Sequence, residues 1–142
     1  MRKVKFRVWN ANEKEFLNEL EFLIGPKGEI FPVHEHWDGF EIETDNDMSA
    51  NGWIALQYTG LKLNKTEIYE GDIIEYNNCD YMRTGGHLDD EIVRGVVEFK
   101  VGAFWINGDL LIDVLENDEE ARIIGNIFEH DYLLEEGVQN ES

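Results

Sequence analysis

Cysteine is almost absent from this chain. Cys79 stands alone, so no disulfide can close within one molecule. Proline is nearly as scarce, at 2 residues against 13 glycines. Glycine therefore supplies most of the punctuation, and turn signals at such spacing favour many short strands over a few long helices. Serine occurs only as Ser49 and Ser142, and neither sits in a nucleophile elbow. Basic residues are few: 12 against 31 acids, a net charge of −19. Four of them (Arg2, Lys3, Lys5 and Arg7) fall in the first ten residues, which leaves −23 on the rest of the chain. A surface of that sign repels phosphate backbones and anionic bilayers, so direct binding of nucleic acid or docking on a membrane is not expected. It welcomes a basic partner or a cation, and it also serves solubility alone. Long apolar runs are missing too. No segment approaches the length of a membrane span, and charge interrupts the apolar residues from Met1 to Trp9, unlike a signal peptide. A cytoplasmic location is the expectation.

What is present is enough for a folded body. Hydrophobic residues make up 42% of the chain and aromatics 12%. A length of 142 residues predicts one domain with a real core.

The chain reads as mostly β. Val4, Phe6 and Val8 alternate with Lys3, Lys5, Arg7 and Trp9, which predicts a half-buried first strand with its basic side chains on one face. Asn10-Ala11-Asn12 is a turn. Residues 16–24 fit both helical and strand spacing, and the Pro26-Lys27-Gly28 turn beyond them favours a hairpin. Residues 34–52 are rich in Glu, Asp and Asn. They predict a long acidic loop with at most a short strand at Phe40-Glu41-Ile42, and a loop of that length is mobile or functional. Trp53 to Tyr58 predicts a strand ending at Gly60, and Ile73 to Tyr76 the next. Residues 77–91 read as a second polar loop. Gly95, flanked by Ile92-Val93 and Val96-Val97, predicts a bulge within one strand. Val101-Gly102 and Asn107-Gly108 are hairpin turns, the second leading into an extended Leu110-Leu111-Ile112. Asn117-Asp118 turns the chain into Arg122 to Ile127, and a short C-terminal helix is expected from Glu129.

Few residues carry chemistry. In a strand, His34 and His36 of His34-Glu35-His36 project on one face and reach one metal ion, with Asp38, Glu41 and Glu43 as further oxygen ligands. A single His-x-His lacks the second ligand pair that makes a motif specific, so the signal is weak, and the residues read first as loop histidines among acids. Asp45-Asn46-Asp47 opens like a calcium loop, but Ala50 stands where its glycine belongs and Leu56 where its acid belongs. Gly85-Gly86 has no lysine of a phosphate loop after it, so it is a flexible turn. Asp80 beside Cys79 disfavours a thiolate nucleophile. In Tyr69-Glu70-Gly71-Asp72, Gly71 permits a turn in which Tyr69 packs and Asp72 binds local backbone donors. The alternative is an aromatic binding groove of Tyr58, Tyr69 and Trp105. Trp9, Trp37, Trp53 and Trp105 read as packing residues, with Trp37 a candidate for exposure in the acidic loop.

Several of these segments, taken together, resemble the YopX family of bacteriophages and prophages. The segments are Phe6-Arg7-Val8-Trp9, Gln57 to Leu61, Glu67 to Ile73, Gly95 to Phe99, and Ile124-Gly125-Asn126-Ile127-Phe128-Glu129, in the family's order. One departure lies between the central strands. Lys62-Leu63-Asn64-Lys65-Thr66 has no glycine where the family commonly has one, which bears on the turn type. The resemblance implies a mostly β fold containing a small SH3-like barrel, over roughly residues 53–130, with additional N-terminal β-hairpin strands. It implies no activity, no cofactor and no catalytic residues.

The expected function is therefore a non-enzymatic accessory protein of a phage or prophage that binds another protein in the cytoplasm. A sharper form has its acidic face occupy a basic host or phage protein in place of nucleic acid. The alternatives are a homo-oligomer assembled through the basic residues 2–7, and a metal-dependent hydrolase centred on His34 and His36.

Overall fold

The computed structural model describes residues 4–77, 92–118 and 120–134. Its chain falls into two units, Met1–Tyr58 and Thr59–Ser142. Both are mostly β, as the glycine punctuation and strand alternation predict.

The first unit holds β1 (Phe6–Asn10), β2 (Glu15–Phe16), β3 (Phe22–Ile24), β4 (Ile30–His36), β5 (Gly39–Ile42), a 3-10 turn (Met48–Ala50) and the start of β6 (Trp53–Leu63). Strand β1 lies between β2 and β6, antiparallel to both, with Phe6 opposite Gln57 and Asn10 opposite Trp53. It has neighbours on both edges and is half-buried at Phe6 and Arg7, as expected, but Trp9, which shares a face with Arg7, is buried. Val8, Trp9 and Asn10 are buried in succession. Arg7 lays its guanidinium over the Phe16 ring at 4.7 Å, and Trp9 meets the same ring edge-on at 4.9 Å. The turn after β1 is held by Asn10, whose Oδ1 accepts the backbone N–H of Asn12 and of Glu13 at 3.0 and 3.2 Å.

Strands β3, β4 and β5 form an antiparallel meander with β4 in the middle. Phe22 pairs with Pro32 and Ile24 with Ile30, so strand alternation prevails over helical spacing in this segment. The expected acidic loop is shorter than predicted. Its first part is the β4–β5 hairpin, Val33 facing Ile42 and His36 facing Gly39. Both faces are open there, so the strand carries Glu and His where alternation would show apolar residues. Asp47 then ties the loop to the strand: its Oδ1 accepts the backbone N–H of Ile30 and of Ser49, each at 3.0 Å, and the Ser49 hydroxyl at 2.6 Å. These donors hold its carboxyl below the usual aspartate range, the Ser49 hydroxyl most of all.

The second unit takes the rest of β6, then β7 (Thr66–Tyr69), β8 (Asp72–Asn77), β9 (Ile92–Val96), β10 (Glu98–Lys100), β11 (Ala103–Ile106), β12 (Asp109–Leu110), α1 (Leu111–Asn117) and β13 (Arg122–Asn126). One sheet runs β13-β8-β9 and another β10-β11-β12. Ile68, Ile74, Tyr76, Val97, Ile106, Leu111, Val114 and Ala121 form its core.

Three predicted features change here. Strand β6 does not stop at Gly60: it continues to Leu63, with Gly60 at φ +84° and Thr59 Oγ1 accepting the Leu61 N–H across the kink at 3.1 Å. The break after Gly95 falls instead at Val97, which bonds to Gly71 and to Asp72 at the start of β8. Its N–H donates to Asp72 O and its carbonyl accepts from Gly71, both at 2.9 Å. Gly95 stays in register opposite Ile74. There a Cβ would come within 2.6 Å of the Ile106 and Asn107 side chains, so close approach requires the glycine. Finally, Leu111-Ile112 is not strand but the start of α1, because Leu111, Val114 and Leu115 recur at helical spacing against the core.

A single helical turn follows at 132–134, where Leu133 and Leu134 donate to the carbonyls of His130 and Asp131. Residues 78–91, which include Cys79 and Gly85-Gly86, lie outside the described residues, as do Arg2 and Lys3 and everything from residue 135.

Candidate interaction surface

The most specific motif of the chain builds the frame. Asp72 is buried, and its Oδ2 accepts the Tyr69 N–H at 2.8 Å across the turn that Gly71 makes at φ +86°. The Gly71 carbonyl accepts the Ile127 N–H at 2.8 Å, and a Cβ on Gly71 would stand 2.9 Å from the Phe128 ring. The Glu67–Ile73 segment and the Ile124–Glu129 segment are thus two halves of one contact. Asn126 completes it. It is buried, and its Oδ1 accepts the N–H of Phe128 and of Glu129 at 3.1 and 2.9 Å, while its Nδ2 donates to Glu129 Oε1. Gly125 lets the His130 ring lie where a Cβ would be 2.7 Å from Nδ1.

The aromatic candidates do not form an exposed surface. Tyr58 is buried in the first unit and Tyr69 in the second. Trp105 is half-buried, with its indole N–H donated to the Lys100 carbonyl at 2.8 Å inside the β10–β11 hairpin. The best-formed charge cluster is also structural. Glu75 on β8 accepts from Arg94 Nε at 2.9 Å and from Arg122 Nη2 at 2.6 Å, and Arg94 Nη1 reaches the Leu133 carbonyl at 2.7 Å. The Arg122 bond above all, with that of Arg94, holds the Glu75 carboxyl below the ordinary glutamate range, against the effect of its burial.

The chemistry that faces solvent lies on the β4–β5 hairpin. His34 and His36 do share a face of β4, as their spacing predicts, and Glu41 and Glu43 share it from across the ladder. Each imidazole is taken by its own carboxylate. His34 Nε2 lies 2.7 Å from Glu43 Oε2 and His36 Nε2 3.0 Å from Glu41 Oε2. Among the described residues, no group of three or more His, Cys, Asp or Glu side chains is arranged to hold a metal ion. The Ser49 hydroxyl is occupied in capping the turn through Asp47.

The opposite face of this hairpin is apolar, and sequence reasoning missed it. Register places Leu23, Phe31, Val33, Ile42 and Phe40 on one side of the β3–β4–β5 sheet, with Glu35 among them. Leu23, Ile42 and Phe40 are exposed, and Trp37 at the hairpin tip is 98% exposed. A recess of about 580 Å³ opens beside this sheet, bordered by Leu20, Glu21, Val33 and Glu35 among others. The signal was the alternation of Phe31, Val33 and Glu35, which continues β4 into what composition alone marks as loop.

Comparison with known proteins adds the following. A family model described as YopX protein matches residues 5–135. The structure is similar to protein EF1440 from Enterococcus faecalis, with 28% sequence identity and a TM-score of 0.59 over 94% of this chain and 99% of that one. It is also similar to the yopX protein of Bacillus subtilis, at 16% identity and a TM-score of 0.61, covering 94% of this chain and 97% of that one. The second likeness is one of fold alone. The comparison with curated proteins finds no match. Among the described residues, no helix is long and apolar enough to cross a membrane.

Proposed function

The chain belongs to the YopX family, and from that premise we propose that it is a non-enzymatic, protein-binding accessory factor of a phage or prophage, working in the bacterial cytoplasm on a basic host or phage protein. The observation that carries this reading is the distribution of charge. From Glu13 to Asp47 the chain sets eleven acids against Lys14 and Lys27. Part of that stretch is a hairpin with an exposed tryptophan at its tip. Acids in such number steer a basic protein and repel phosphate. The family motifs, by contrast, are consumed in turns and contacts of the frame, which suits a scaffold better than a catalyst. We read the strands of the second unit as a small SH3-like barrel, and the turn at 132–134 as the opening of a short C-terminal helix.

The test is a tagged pull-down from bacterial lysate, washed at low and at high salt, with retained proteins identified by mass spectrometry. A stoichiometric basic protein that is released by salt is the expected result. Retention unchanged by salt would remove the electrostatic reading, and a protein that retains nothing would remove the interaction role.

A further inference from the structure

Resting on that reading, we propose that the apolar face of the β3–β4–β5 sheet is the docking surface, and that it takes a segment of a basic protein in which lysine or arginine alternates with apolar side chains. Two independent features converge on it. The first is shape: Trp37 is 98% exposed and Phe40 60%, and Leu23 and Ile42 extend the same surface. Aromatic residues standing in water beside aliphatic ones are the composition of a protein interface, and contiguous apolar surface on a monomer marks such sites. The second is charge. Glu35 lies on that face, Asp38 follows Trp37, and Glu21 borders the recess with Leu20 and Val33.

Those two features together select the occupant. A purely apolar partner leaves the carboxylates desolvated without counter-charge, which is costly. A second copy of this chain brings another −19 to the contact and is repelled. A lysine or arginine side chain satisfies both demands. Its methylene stem covers Leu20 and Val33 while its cationic head meets Glu21 or Glu35. The apolar residues that alternate with it then rest on Phe40 and Trp37. Exposed aromatic residues of such a patch carry most of the binding energy, and the acids around them give approach rate and selectivity.

The test uses two synthetic twelve-residue peptides of equal charge, one alternating lysine with leucine and one alternating lysine with serine. Each is titrated calorimetrically into the full-length protein and into its Trp37→Ala/Phe40→Ser variant. The expected result is that the lysine–leucine peptide binds about tenfold or more tightly than the lysine–serine peptide, and that the variant loses this advantage. Amide shifts of the unaltered protein, mapped by NMR during the same titration, are expected on β3, β4 and β5. They keep the question answerable if the variant does not fold. Equal affinity for the two peptides, or shifts confined to the second unit, overturns the proposal. So does a concentration-dependent dimer that Trp37→Ala abolishes, since it makes a second copy the occupant. Salt-sensitive binding of both peptides that the variant leaves unchanged removes this surface but leaves the basic-partner reading standing. Absence of binding to either peptide at low salt counts against both.

Discussion

Glu75 stands directly opposite Arg94 across the β8–β9 pair, and its carboxylate accepts the Arg94 Nε proton at 2.9 Å. On the other side, Arg122 of β13 is its register partner and takes the second carboxylate oxygen. One acid thus bridges three strands in a unit whose surface is otherwise short of cations.

Glu75→Gln keeps the shape and removes the charge. The Glu75 and Arg94 side chains are only 14% and 18% exposed, so a guanidinium is left part-buried without its counter-charge. The expected loss is about 1–3 kcal/mol in urea unfolding. The pH dependence follows from the same contact. Because the folded carboxyl is held low, its stabilisation is complete above the unfolded glutamate value of about 4.3 and is lost as pH falls through the lower folded value. Asp47, also held low, adds in the same direction. Unfolding midpoints measured from pH 6 down to about pH 2 are expected to fall faster for the unaltered protein than for the variant.

Two hairpin turns place side chains where glycine or asparagine fits better. Asn64 and Lys65 both have positive φ, 48° and 71°, as a two-residue turn of the primed type requires. The glycine-free turn between β6 and β7 therefore keeps this conformation and bears its strain on Lys65. Lys65→Gly is expected to raise stability by roughly 0.5–1 kcal/mol. Val101, β-branched and at φ +49°, is the more strained case. It is also exposed, so Val101→Asn forfeits no packing and is expected to raise the denaturant midpoint as well. A fall in either midpoint would show that these turns are not where the strain lies.

Gly71 and Gly60 share nearly the same backbone conformation, φ +86° and +84°, but not the same surroundings. A Cβ at Gly60 meets nothing within 4 Å, whereas at Gly71 it meets the Phe128 ring at 2.9 Å. Gly60→Ala is expected to cost about 1–2 kcal/mol, the conformational penalty alone. Gly71→Ala adds overpacking and is expected to cost about 2–4 kcal/mol. The difference between the two isolates the contact between the family's two motifs. Equal losses would dissolve it.

The helix offers a check on its own assignment. In α1, Leu111 is fully buried and Ile112 is exposed. Leu111→Ala is expected to cost about 2–5 kcal/mol and Ile112→Ala well under about 1. A strand reading with Ile112 inward reverses that order.

These cases also show what was legible beforehand. Residue types with a single local meaning read correctly: the Asn107-Gly108 turn, the Asn10 turn, and Asp72 bonding the backbone beside Gly71. Each depends on three or four consecutive residues. The misreadings arose where a distant partner decides. Leu111-Ile112 is as apolar as a strand, and only the core it meets selects the helix. The β4–β5 hairpin hides because Glu35 interrupts the apolar side of β4 and acids surround it, so composition alone marks the segment as loop. Tyr58 and Tyr69 drew notice as aromatics near a motif, but aromatics in a small domain are more often core. Trp37 reads as a candidate for exposure and Phe40 as part of a short strand, but the acids around them in sequence conceal the apolar face they belong to.

Trp37 makes the hairpin an optical instrument. Of the four indoles, Trp9 is sealed in the core and Trp37 stands in water. The field around it is anionic, so a cationic quencher such as caesium concentrates at that ring while iodide is turned away. The ratio of the two quenching constants reads the local potential directly. It moves toward its value for a free indole when a cation or a basic chain neutralises the surface, so arrival of a partner is visible in the unlabelled protein.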